Sequence, residues 1–294
     1  MNVVPAYLKT CYPFTPHWLR LPEGRMHYVD TGGEGEAVLL LHGNPTWSFL
    51  WRDLARSLAI QGFRCIAPDH IGMGLSEKGN RFFRLADRIG HIERLVDSLR
   101  ISRFHLCVHD WGGAIGFGVA GRAPERVGKI VAMNTAAFRA PEGAHLPWRI
   151  ALCRMPQVGE FIVRALNGFA RAAVFMAARR RLSSVVRAGF LAPYDSWRSR
   201  GAIARFVRDI PLEPNHPSLP TLIEVENNLN LLHEKRVMLA WGGQDFCFND
   251  AYFARWRELF PDALVRYYHN AGHYVLEDAG ELLIPEIRAF LAEE

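Results

Sequence analysis

The spacing of apolar positions divides the chain into short strands and longer helices that follow one another in turn. Residues 26–30, Met-His-Tyr-Val-Asp, alternate like a half-buried strand and stop at Thr31-Gly32-Gly33, a turn. Residues 37–41, Ala-Val-Leu-Leu-Leu, are apolar without a break, as a strand covered on both faces of a parallel sheet must be. Helical spacing follows over 49–60, a strand over 63–68 and an amphipathic helix over 85–99. Another apolar run begins at Phe104 and meets Gly112-Gly113, beyond which 114–120 can continue as a helix. Residues 129–134 read as the next strand. The alternation then lapses. Residues 136–224 are helical and broken up by eight prolines. It returns as a strand at 236–241, a helix at 252–259, a strand at 264–268 and a last helix over about 280–291.

Strands alternating with helices argue for a doubly wound α/β sheet, and the lapse argues for a helical unit inserted after one strand. The expected organisation is a core of residues 1–135 and 223–294 with a helical cap of residues 136–222. The composition, 49% hydrophobic and 22% charged over 294 residues, is that of an ordinary globular protein. No basic-then-apolar leader opens the sequence, and no uncharged apolar stretch has membrane-spanning length, so a cytoplasmic protein is expected. The five scattered cysteines, with Cys65 and Cys107 in predicted buried strands, read as reduced thiols.

The net charge of +5 is unevenly placed. Thirteen arginines, no lysine and five acids fall between Thr135 and Asn215. The plain reading is a solvated arginine-rich surface. The functional one is a cap that docks to a partner protein, to a second copy or to a membrane surface. No nucleic-acid-binding signature accompanies the charge, so no nucleic-acid partner is expected. Residues 161–181 are largely apolar, and Arg164, Asn167 and Arg171 within them align at helical spacing. That pattern predicts one cap helix covering a pocket rather than a helix lying on a membrane.

Four segments carry candidate chemistry, and each follows a strand, where parallel sheets hold their ligands. His109-Asp110-Trp111-Gly112-Gly113 is a strand turning sharply into a helix, the nucleophile elbow of α/β hydrolases, with Asp110 where a serine usually stands. Trp241-Gly242-Gly243-Gln244-Asp245 puts a carboxylate past a late strand, with Asp250 as its competitor. Asn270-Ala271-Gly272-His273 puts a histidine past the last strand. Nucleophile, acid and histidine in this chain order match the hydrolase triad, and His42-Gly43-Asn44-Pro45 occupies the position of an oxyanion-hole loop. His42, His70 and His109 read as structural. No His/Cys/carboxylate spacing suits a metal, and no cofactor is expected.

Taken together, His42-Gly43-Asn44-Pro45-Thr46, Asp69-His70-Ile71-Gly72-Met73-Gly74-Leu75-Ser76, His109-Asp110-Trp111-Gly112-Gly113 and Ala271-Gly272-His273 resemble the haloalkane dehalogenase family of α/β hydrolases. The resemblance covers almost the whole chain. It implies a mostly parallel eight-stranded sheet with an inserted helical cap, Asp110 as nucleophile, and the Trp111 and Asn44 side chains as holders of the leaving halide. An acid at Asp245, with Asn134 at the end of the earlier strand, matches the branch often called class III. That branch is also similar to the β-lactone decarboxylases of bacterial olefin biosynthesis. The segments that resemble those decarboxylases are Asn134-Thr135-Ala136-Ala137-Phe138, Ala192-Pro193-Tyr194-Asp195-Ser196-Trp197, Asp209-Ile210-Pro211-Leu212 and His273-Tyr274-Val275-Leu276-Glu277-Asp278.

An aspartate at the elbow suits displacement at a saturated carbon. It is already charged, and the alkyl ester it forms can be hydrolysed, whereas a serine would leave an inert ether. His273 would activate the water and Asp245 would orient the imidazole. The expected substrate is a small hydrophobic molecule; a haloalkane is placed first, with dehalogenation as the expected activity, and a β-lactone, decarboxylated to an olefin, is its close rival. An epoxide hydrolase needs two cap tyrosines, and only Tyr194 lies between 135 and 222. A non-catalytic ligand receptor is the remaining alternative, disfavoured by a complete set of triad residues.

Overall fold

The computed structural model describes residues 5–293. Its strands are β1 (Pro16–Leu21), β2 (Gly24–Asp30), β3 (Ala37–Leu41), β4 (Arg64–Pro68), β5 (Phe104–Asp110), β6 (Val127–Thr135), β7 (Val237–Gly242) and β8 (Leu264–Tyr268). They form one sheet in the order β1-β2-β4-β3-β5-β6-β7-β8. β1 and β2 run antiparallel to their neighbours, and the other six strands pair in parallel. β3 and β5 are fully buried side by side at the centre, which is why neither shows alternation.

Helices α1 (Arg52–Ile60), α2 (Leu85–Ser98) and α3 (Trp111–Arg122) precede the insertion. Between β6 and β7 come α4 (Trp148–Arg154), a π-helical turn Phe161–Ala165, α5 (Gly168–Met176), α6 (Ser184–Leu191), α7 (Gly201–Arg208) and α8 (Leu219–Asn228). α9 (Asp250–Leu259) and α10 (Val275–Ala292) complete the chain. α8 already packs on α3, so the chain is back on the core before β7 begins.

A buried ion-pair cluster fastens the insertion to the core. Asp209, just past α7, accepts from Arg88 Nη1 at 2.7 Å, Arg84 Nη1 at 3.0 Å and Ser218 Oγ at 2.7 Å. The Arg88 guanidinium also lies 3.7 Å from the Phe206 ring centre. Deleting one partner of such a pair strands a buried charge, a loss of about 3–5 kcal/mol.

Three features differ from the sequence expectations. β1 is a strand that no apolar run announces, because as an edge strand it alternates between exposed and half-buried positions. The last helix starts at Val275 rather than near 280. Glu277 and Asp278 lie in its first turn, where the helix dipole favours acids, and Pro285 is accommodated inside it. Residues 161–181 are not one helix. Asn167 adopts the left-handed conformation (φ 53°, ψ 31°), which asparagine tolerates, and breaks the segment in two. The expected polar stripe is therefore dispersed. Asn167 is buried and donates to Tyr194 O at 3.1 Å, Arg164 Nε reaches Trp197 O at 3.1 Å, and Arg171 faces outward.

Candidate active site

Asp110 ends β5 with φ 54° and ψ −128°, a strained backbone for a residue with a side chain. The turn packs so tightly against neighbouring strands that only glycine fits at positions 112 and 113. A Cβ on Gly112 would lie 2.0 Å from Leu41 O, and one on Gly113 1.9 Å from Thr135 Oγ1. The Thr135 hydroxyl donates to the Asp110 carbonyl oxygen. On the other side the loop after β3 comes close enough that a Cβ on Gly43 would lie 1.9 Å from Asp110 Oδ1. That approach lets the Asn44 amide donate to Oδ1 at 2.6 Å, and the Trp111 amide also bonds the Asp110 carboxylate. Two backbone donors thus converge where negative charge resides.

His273 and Asp245 come from the turns after β8 and β7. His273 Nδ1 lies 2.8 Å from Asp245 Oδ2, and its Nε2 lies 3.6 Å from Asp110 Oδ2. The latter gap exceeds a hydrogen bond. An ionised carboxylate needs no base to attack, so the imidazole is left free to act on another group at the site. Asp250, the competing acid, instead accepts from the Tyr267 hydroxyl at 2.7 Å at the start of α9. His109 Nε2 lies 2.8 Å from the His273 carbonyl oxygen and fixes that residue's backbone. His42 Nδ1 lies 2.7 Å from Gly43 O and braces the oxyanion loop, while His70 lies 2.9 Å from His42 O.

Asn134 is the residue whose part the sequence did not disclose. It stands at the end of β6 with φ 37°, and its Nδ2 donates to Asp245 Oδ2 at 2.9 Å and to Gly242 O at 3.1 Å. Its Oδ1 accepts from Gly242 N at 2.8 Å. With Cys247 N donating to Oδ1 at 2.6 Å, both oxygens of Asp245 are engaged and one is aimed at His273. An amide at the end of the strand neighbouring the acid's own is the only sequence signal for this brace.

Burial raises the Asp110 carboxyl above the ordinary aspartate value, against the opposing pull of His273 and the two backbone amides. Burial alone would lower the His273 imidazole. The carboxylates of Asp245 and Asp110 outweigh it and raise its pKa instead. Burial, then Asp245 and Asp110, push the Cys247 thiol far up, so it stays protonated and serves as wall rather than nucleophile.

Two apolar cavities meet at Asp110. One, of about 280 Å³, runs under α4 and α5 and is lined by Leu152, Phe169, Ala172, Ala173 and Met176. The other, of about 340 Å³, is lined by Leu85, Ala136, Phe138, Leu146, Leu222 and Tyr252. Asp110, Trp111, Ile150, Ile210 and Cys247 border both. At the junction the Asn44 amide nitrogen donates one hydrogen to Ile203 O at 3.3 Å, which leaves its second hydrogen available. The Trp111 indole packs edge-on against Phe206, with ring centres 5.6 Å apart. Tyr194 borders neither cavity; its hydroxyl donates to Thr46 O at 3.3 Å behind the oxyanion loop, so it is not placed to protonate an epoxide. Among the described residues no three His, Cys, Asp or Glu side chains cluster to hold a metal, and no helix is long and apolar enough to cross a membrane.

A family model for the alpha/beta hydrolase fold matches residues 36–280. The haloalkane dehalogenase DbeA of Bradyrhizobium elkani superposes with a TM-score of 0.86 at 26% identity, over 95% of this chain and 98% of that one. The chain belongs to the α/β hydrolases, in the branch of the haloalkane dehalogenases and the similar β-lactone decarboxylases. It is 41% identical to the cis-3-alkyl-4-alkyloxetan-2-one decarboxylase of Xanthomonas campestris, covering 95% of this chain and 97% of the relative. It is 33% identical to haloalkane dehalogenase 2 of Mycobacterium tuberculosis, covering 94% of each.

Proposed function

We propose that this enzyme opens a β-lactone carrying two alkyl chains and releases carbon dioxide and an olefin. The observation that carries this reading is the pair of apolar cavities diverging from Asp110. An oxetan-2-one with alkyl groups on adjacent ring carbons presents two chains that diverge from the reacting centre, whereas a terminal haloalkane needs one channel. The higher identity to a decarboxylase of such a lactone supports the same choice.

The ionised Asp110 carboxylate attacks the saturated ring carbon bonded to the ring oxygen. The carbon–oxygen bond breaks, and its electrons pass to the new substrate carboxylate. The second hydrogen of the Asn44 amide and the indole N–H of Trp111 are the neutral donors assigned to that anion. The alkyl ester on Asp110 then loses carbon dioxide. The electrons of the carbon–carboxylate bond form the double bond, and the ester carbon–oxygen bond returns its pair to Asp110. No water or net proton is consumed, and an apolar, water-poor cavity favours charge dispersing into carbon dioxide. His273, drawn toward the cationic form by Asp245 and Asp110, stabilises the departing Asp110 carboxylate.

The donors that suit a carboxylate also suit a halide, so haloalkane dehalogenation is the second reading. There the alkyl ester is hydrolysed by a water activated at His273. The test supplies purified protein with a cis-3,4-dialkyl β-lactone and measures alkene, and in parallel supplies 1-bromobutane or 1,2-dibromoethane and titrates halide. Alkene with little halide is expected. Halide release with negligible alkene would reverse the order of the two readings.

A further inference from the structure

The helix that walls one cavity also carries an outward face that the catalytic reading leaves unused. On α5, Phe169, Ala172, Ala173 and Met176 face the cavity, whereas Arg171 and Phe175 lie on the opposite side. Phe175 is 71% exposed and packs under the Arg187 guanidinium of α6, 5.6 Å from its ring centre. Trp148, at the start of α4, is 67% exposed yet also lines the cavity, with Arg149 over its ring at 4.8 Å. Ion pairs in the cap engage Arg154, Arg164, Arg180 and Arg208. Among the described residues Arg149, Arg171 and Arg181 have no carboxylate partner. The cap therefore carries exposed rings and arginines without carboxylate partners on two helices, α4 and α5, that also wall an apolar cavity.

We propose that this face of the cap docks on an anionic lipid surface. Aromatic rings seated at the headgroup level, with arginines on anionic headgroups, are the chemistry by which a protein lies on a bilayer without crossing it. The helix that bears Arg171 and Phe175 is itself a wall of the cavity. If the substrate is the two-chain lactone proposed above, it partitions into lipid and passes from there past Trp148 into the site; the docking itself does not depend on that reading.

The test is flotation of the full chain with phosphatidylglycerol/phosphatidylcholine vesicles and with pure phosphatidylcholine vesicles, in the absence of substrate. Retention on the anionic vesicles at low ionic strength is expected. It should be lost at about 1 M salt, where the Debye length falls to about 3 Å. The Arg171→Glu/Arg181→Glu double variant should bind the anionic vesicles on the order of tenfold or more weakly, and Phe175→Ser several-fold more weakly. Both should keep wild-type turnover of a short-chain substrate that dissolves in water, which also shows that they fold. No retention at low salt, equal retention on both vesicle types, or wild-type binding by the charge-reversed variant would each overturn the proposal. Because binding is read without substrate, it can succeed when the lactone assay fails, and the reverse.

Discussion

From the core, Asp110 is met by backbone amides, an imidazole and, through that imidazole, an acid whose two oxygens are both engaged. From the cap it is met by side chains such as Ile150, Ile210, Ala173 and Met176, and the basic groups there, Arg149 and His145, lie at exposed rims. On the core side a shift of a few tenths of an ångström breaks a hydrogen bond. On the cap side the contacts are non-directional, and volume alone decides what fits. The two regions therefore divide the labour: the strand-end loops fix which bond is attacked, and the insertion fixes which molecule is attacked. Substitutions on the two sides should fail in different ways.

The largest effect belongs to Asp110→Asn, which keeps shape and removes the charge. Turnover of either substrate class should fall by about 10⁴-fold or more, with an unchanged fold by circular dichroism. His273→Ala separates the two chemistries. With a bromoalkane it should trap the alkyl ester on Asp110, visible as added mass on the intact protein. Alkene formation from the lactone, which consumes no water, should suffer much less.

Acidity gives the next contrast. Dehalogenation requires neutral His273, whose pKa lies above its ordinary value, so its rate should fall as pH drops through a point above about 6.5. The acid limb of lactone opening is set by ionisation of Asp110, raised above its ordinary value of about 3.9, so it should lie lower. Paired pH profiles on one preparation check this, and coincident limbs would remove the distinction.

Asn134→Ala deletes a donor to a charged group, worth about 1.5–3 kcal/mol, or roughly tenfold to a hundredfold in kcat with little change in KM. Its dehalogenation limb should also move to higher pH, since a less satisfied Asp245 holds the imidazolium more tightly. The smallest effects lie in the cap. Ala172→Trp should shorten the chain accepted in one arm and Ala136→Trp in the other, each rejecting an added methylene by about tenfold. A chain-length series on each variant reads this directly.

The site was largely legible in the sequence because its parts sit at strand ends. The apolar run into Asp110 and the two glycines after it can make only one kind of turn, and Gly272-His273 follows a strand pattern as clearly. Asn134 was not legible as a brace, since nothing local says that β6 and β7 lie side by side and bring its amide to Asp245. The cap resisted for another reason. Helical spacing over 161–181 is real, but a single left-handed residue, Asn167, ends the helix, and any asparagine in a helical pattern is open to that outcome. The twin cavities are a matter of packing between distant segments, α4 and α5 against one side and 136–147 against the other, and no pattern along the chain encodes them.

The central claim is that two chains of one substrate occupy two arms around Asp110. Its most direct test compares kcat/KM for a cis-3,4-dialkyl β-lactone with that for a 4-alkyl lactone lacking the second chain. The account predicts at least a tenfold preference for the dialkyl lactone, which Ala136→Trp or Ala172→Trp should erode. Equal values for the two lactones would contradict it.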